Sequence, residues 1–121
     1  MPRRAELAFT AKVPAVSDEA PLSVDAAVNG DVARVTLRGE LDLDRAGALA
    51  EELSSLAGRG ASTVVVDVSG LNFIDSSGLR ALLSAREQLE SAGATLRLED
   101  LSPAVDRVLE MTGTRSLLVP D

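Results

Sequence analysis

The sequence predicts one α/β domain built on a mixed, mainly parallel β-sheet. Three observations carry that expectation. Asn29-Gly30 is the strongest hairpin-turn dipeptide in the chain, and strand-like alternation follows it. The run Thr63-Val64-Val65-Val66-Asp67-Val68 is β-branched and nearly all apolar, as in a central strand covered on both faces. Beyond the hairpin, strand-like and helix-like segments alternate, which implies right-handed crossovers and parallel neighbours. The predicted order is β-β-α-β-α-β-α-β.

Each element has its own local reason. Pro21 to Val28 forms a short first strand. Val32, Arg34, Thr36 and Arg38 alternate with Ala33, Val35 and Leu37 in a half-buried second strand. Gly39-Glu40-Leu41-Asp42-Leu43-Asp44 ends it, with Asp44 as a plausible N-cap for the next helix and Asp42 as its rival. Ala46, Leu49, Ala50, Leu53, Leu56 and Ala57 recur at helical spacing until Gly58 and Gly60. After the central strand comes a predicted loop, Ser69 to Asn72, and then Phe73-Ile74 as apolar anchors. Asp75-Ser76-Ser77-Gly78 opens a second helix with Leu79, Leu82, Leu83 and Leu89 on one face, stopped by Gly93. Ala94 to Leu98 is a strand. Ser102-Pro103 caps a short helix through Val105, Val108, Leu109 and Thr112, ended by Gly113. Arg115 to Val119 reads as a last strand.

Residues 1–20 show no sustained period, and they are read as a flexible N-terminal extension preceding a domain over 21–121. Arg3 and Arg4 precede a stretch broken by Glu6, Lys12 and Pro14, which does not make an apolar export signal. No apolar run approaches the roughly 20 residues of a spanning helix, so no membrane insertion is expected and the location is read as cytoplasmic.

Composition excludes several functions. The 121 residues contain no Cys and no His, which removes thiolate nucleophiles, Cys-ligated zinc and the usual general base near neutral pH. A serine hydrolase would lack a base, and the single lysine, Lys12, lies in the predicted extension, away from any receiver-type phosphorylation site. No P-loop or dinucleotide glycine motif is present, and no cofactor is expected. The net charge is −7 and the only aromatic residues are two Phe, so direct nucleic-acid binding is not expected either. The chain reads as a non-enzyme.

In parallel sheets, functional loops gather beyond the carboxyl ends of the strands. Two loops qualify here: Gly39 to Asp44 and Ser69 to Gly78. The second brings Ser76 and Ser77 to a helix start, where unpaired N–H groups and a partial positive charge favour a phosphate. Phosphorylation there adds nearly two negative charges, opposed by any of Glu40, Asp42, Asp44 and Asp75 that lie close. Asp-Ser-Ser before a helix is also the pattern of ordinary N-capping, and local sequence alone favours that plainer reading. It does not choose between the two serines. Arg80, Arg86 and Arg107 read as solvated helix faces.

Several of these segments together resemble the STAS-domain family, specifically bacterial anti-sigma factor antagonists. Leu37-Arg38-Gly39-Glu40-Leu41-Asp42 is similar to the family's GELD turn. Val65 to Leu79, through Asp75-Ser76-Ser77-Gly78, is similar to its signature strand, loop and helix start. Leu101 to Val105 and Met111-Thr112-Gly113 fit the later pattern. The resemblance implies helices packed mainly on one face of the mixed sheet. It implies that the unphosphorylated protein binds an anti-sigma factor with a GHKL-type serine kinase fold and so releases the sigma factor. It implies phosphorylation at Ser76, reset by a PP2C-type phosphatase, with Glu40, Asp42, Asp75, Ser77 and Gly78 adjoining the phosphosite or the partner. Arg80 stands where some family members carry a small residue.

Two other readings use the same fold. One is a non-catalytic accessory subunit of a membrane transporter, of the lipid-transport ATPase type. The other is a nucleotide- or small-ligand-binding domain using the helix N-terminus.

Overall fold

The computed structural model describes residues 22–119. The predicted extension, residues 1–20, lies outside them. Strand β1 (Leu22–Asn29) pairs antiparallel with β2 (Val32–Leu41). Strand β3 (Thr63–Ile74) runs parallel to β2, and β4 (Thr95–Glu99) parallel to β3, giving the order β1-β2-β3-β4. The hairpin closes with Asn29 opposite Val32, so its two loop residues are Gly30 and Asp31. Gly30 takes the positive φ, 67°, that this tight turn requires.

Helix α1 (Leu43–Ser54) runs into a 3₁₀ turn, Ser55–Arg59, between β2 and β3. Helix α2 (Ser76–Ser91) links β3 to β4, and α3 (Pro103–Thr112) follows β4. Asp42 is the N-cap of α1, and Asp44 sits in its first turn. The Ser102 hydroxyl caps α3 by accepting the Val105 N–H at 3.2 Å, as the Ser-Pro pair predicts.

The sheet is two-faced. Val24, Ala26, Ala33, Val35, Leu37, Val64, Val66, Leu96 and Leu98 are buried on one face. Leu49 and Leu53 of α1, Leu82, Ala85 and Leu89 of α2, and Val105 and Leu109 of α3 pack into the same core. The predicted mixed sheet with helices on one face is therefore what forms.

The opposite face carries mostly polar rows, yet the apolar run of β3 is buried on both faces, as its composition predicts. Among the described residues no helix packs on this second face. Its cross-strand rows read Asp25, Thr36, Asp67, Glu99 and Ala27, Arg34, Val65, Arg97. Val65 points out on this side and is still only 2% exposed. Arg34 on β2 reaches Glu99 on β4 at 2.7 Å, and Arg97 reaches the same carboxylate at 3.6 Å. Two strand spacings are roughly 9–10 Å, so the Arg34–Glu99 pair must pass over β3 at Val65. The long side chains of this pair extend across the valine.

Two expectations change. Residues 69–72, predicted as a loop, continue β3. Register shifts between Thr36 and Arg38, and between Gly39 and Glu40, give β3 one extra residue at each place. These bulges absorb the turn-like Ser-Gly. The predicted last strand, Arg115 to Val119, is instead a helical turn, α4 (Arg115–Leu118). The Thr114 N–H donates to the Leu109 carbonyl at 3.1 Å, folding the chain back over α3. Arg115 pairs with Asp106, and Leu118 becomes fully buried. A short apolar run carries no period that separates strand from helix. No helix among the described residues is long and apolar enough to cross a membrane.

Candidate functional site

The carboxyl ends of β2 and β3 meet in register, Glu40 opposite Phe73 and Leu41 opposite Ile74. Both strands lead straight into helices there, so the starts of α1 and α2 stand together at one end of the two central strands. The Asp75 N–H donates to the Leu41 carbonyl at 3.3 Å, continuing the ladder one step past β3. Its side chain then turns to the helix and accepts the Gly78 N–H at 2.9 Å. Asp75 is thus a true N-cap, satisfying one of the orphan donors of α2.

Gly78 is buried, and its small size has a steric reason. A Cβ at that position would stand 2.7 Å from the Leu41 carbonyl oxygen and 3.1 Å from Ile74 Cγ1. The first turn of α2 lies directly on the ends of both strands, and only glycine permits that approach.

The two serines are not equivalent. Ser76 is the first residue of α2 and is exposed, whereas Ser77 is half-buried and turned toward α1. Neither hydroxyl makes a hydrogen bond among the described residues, so neither serves as a cap. Ser77 lines a groove of about 430 Å³ between α1 and α2, with Leu43, Ala46, Gly47, Ala50, Arg80, Ala81 and Ser84. Small side chains on both helices leave this space open. Arg80 is the only charged residue among those lining it.

The predicted acidic residues divide. Glu40 is exposed beside Phe73. Asp42 is not a free charge: Arg45 Nη1 contacts its carboxylate at 3.0 and 3.3 Å. Asp44 is exposed, with the same guanidinium at 4.0 Å. Phe73, read as an anchor, is 46% exposed, and Ile74 alone is buried. Leu43, at the first position of α1, is 70% exposed. The sequence reading missed both the exposed leucine and the groove. An apolar residue between two aspartates at a helix start was the available signal. Asp67 lies further back on β3, where the Ser69 backbone N–H (2.9 Å) and hydroxyl (2.7 Å) both donate to it. These bonds hold its carboxyl below the usual range, with smaller contributions from Arg34 and Arg38.

A family model described as "Mlab, STAS domain" matches residues 12–120. The chain belongs to the STAS-domain family. Among curated relatives, the anti-sigma-B factor antagonist of Bacillus subtilis is 29% identical over 97 residues, 80% of this chain and 88% of the relative. The anti-sigma F factor antagonist of Paenibacillus polymyxa is 30% identical over 80 residues, 65% of this chain and 68% of the relative. Among solved structures, this STAS domain is similar to the anti-sigma factor antagonist SpoIIAA in its unphosphorylated form. The TM-score is 0.69 at 23% identity, covering 79% of this chain and 85% of that one. The phosphorylated form of SpoIIAA, from Bacillus, matches with a TM-score of 0.63 at 23% identity, covering 81% and 89%. At that identity the likeness establishes the fold, and the sheet order and crossovers above agree with it.

Proposed function

We propose that this STAS domain is an anti-sigma factor antagonist that works by partner switching in the cytoplasm, without catalysis of its own. The unphosphorylated form binds an anti-sigma factor with a GHKL-type serine kinase fold, and the sigma factor is released. The kinase transfers a phosphoryl group from ATP to Ser76 Oγ. The Oγ–P bond forms, the β–γ anhydride bond breaks, and ADP and the hydroxyl proton leave. A PP2C-type phosphatase hydrolyses the ester and restores the binder. The names of the curated relatives support the antagonist role.

The observation that carries the choice of site is the placement of Ser76. Its hydroxyl is exposed and unbonded at the first position of α2, while the capping that a bland reading gives the serines is done by Asp75. Glu40, Asp42, Asp75, Ser77 and Gly78 then form the surround. Asp75 and Gly78 fix the helix start, and Ser77 faces the groove. Glu40 and the Arg45-held Asp42 sit at the end of β2. Phosphate on Ser76 adds nearly two negative charges at the rim of this surface. A loss of about 2.7 kcal/mol weakens binding a hundredfold, and an unpaired charge buried in an interface costs at least that much.

The test is a pull-down from native lysate with Ser76→Ala and Ser76→Asp baits, read by mass spectrometry. A GHKL-type kinase enriched on the Ala bait and lost from the Asp bait is the expected result. Transporter subunits on both baits, or equal kinase recovery, overturns the reading.

A further inference from the structure

Arg80 lies four residues after Ser76 in α2, one turn further along the same face. It is exposed and makes no ion pair or hydrogen bond among the described residues. Other arginines of the site region are engaged: Arg45 with Asp42, and Arg86 with Glu90 at 3.2 Å. Side chains on a helix lean toward its N-terminus, so Arg80 leans toward Ser76. An anion placed N-terminal to a cation at this spacing is the favourable orientation for a helix pair. Among the described residues, Arg80 is also the one charged side chain lining the α1–α2 groove.

From this we propose, resting on the reading of Ser76 as the phosphosite, that Arg80 is the intramolecular counter-ion of the Ser76 phosphate. Phosphorylation then does two things at once. It places a dianion at the exposed helix start, and it draws the groove's cation out of the groove into an ion pair one turn back. The phosphate is held in the free protein by a charge that docking would have to strip away, which favours the unbound state. No neighbouring acid can supply this role, and the other cation at the helix starts is already held. Asp75 holds the Gly78 N–H, Glu40 and Asp44 are exposed carboxylates, and Asp42 keeps Arg45 on α1 occupied.

The experiment uses full-length protein with phosphoserine installed at position 76 during translation, so no kinase is needed. Phosphorus NMR follows the second ionisation of the phosphate in the wild-type background and in Arg80→Gln and Arg86→Gln. With Arg80 present the phosphate pKa is expected to lie about 0.15–0.35 unit lower than in Arg80→Gln, as an exposed helix pair would give. Arg86→Gln, an equal change of net charge two turns and more away, is expected to match wild type. Equal values in wild type and Arg80→Gln overturn the proposal. So does a shift of the same size in Arg86→Gln, which would report net charge alone. Because no partner takes part, this result stands or falls separately from the pull-down.

Discussion

The Leu41 carbonyl oxygen and Gly78 are in such close contact that a Cβ on the glycine would lie 2.7 Å from that oxygen. The same carbonyl already accepts the Asp75 N–H. Leu41 therefore joins the end of β2 to the start of α2 by both a hydrogen bond and a packing contact. Gly78→Ala must push α2 away from the strand ends. We expect a loss of about 1–3 kcal/mol, the usual range for overpacking, measured by urea unfolding. A neutral Gly78→Ala would mean that the helix start yields easily.

Asp75 acts on the same turn through its side chain. Asp75→Ala removes the acceptor of the Gly78 N–H and is expected to cost about 1 kcal/mol, with faster amide exchange at Gly78. Asp75→Asn keeps an acceptor oxygen and should recover most of the stability. Equal losses in the two variants would show that charge, and not the cap hydrogen bond, carries the effect.

Asp67 gives the fold a predictable pH response. Its folded pKa lies below the ordinary value of 3.8, first because of the Ser69 backbone hydrogen bond and then the Ser69 hydroxyl. A depressed carboxyl contributes stability above the unfolded pKa and loses it as pH falls through the folded one. Asp67→Asn should therefore be less stable than wild type at pH 7, with the gap closing below about pH 4. A gap of equal size at pH 7 and pH 3 would assign the effect to packing.

The Arg34–Glu99 pair over Val65 is exposed on its arginine side, so its direct coupling should be small despite its short distance. A double-mutant cycle of Arg34→Ala and Glu99→Ala is expected to give a coupling below about 1 kcal/mol, reduced further by salt. A larger, salt-independent value would mean that the pair is shielded as a buried bridge is.

The sequence made the sheet legible because its signals were local and redundant. The Asn29-Gly30 turn, the alternation of β2 and the Ser102-Pro103 cap each point to one element, and each element forms. It was less informative where one pattern serves two physical situations. Val65 is apolar in either case, but a helix covering it and an arginine reaching across it leave the same letter in the chain. Residues 115–118 are helical because Gly113 and Thr114 redirect the backbone onto α3, a tertiary effect with no period of its own. At the site, Asp-Ser-Ser-Gly was visible, and so was the likeness that singles out Ser76. That Asp42 is neutralised by Arg45, and that small residues of two helices leave a groove between them, depends on which helices become neighbours. Arg80 read as a solvated face. Its lack of a partner among the described residues, one turn from Ser76, is what the structure adds.

The double tether of Asp75, backbone to Leu41 and side chain to Gly78, bears on how an enzyme would meet Ser76. Many modification sites lie in loose segments that must be ordered on the enzyme's surface, at about 1–2 kcal/mol of entropy for each residue fixed. Here the backbone beside Ser76 is already held by these two hydrogen bonds. An enzyme acting on Ser76, as proposed, would read a surface assembled from two strands and two helices, not a linear motif. A synthetic peptide spanning residues 70–84 should accordingly be a poor substrate beside the intact domain.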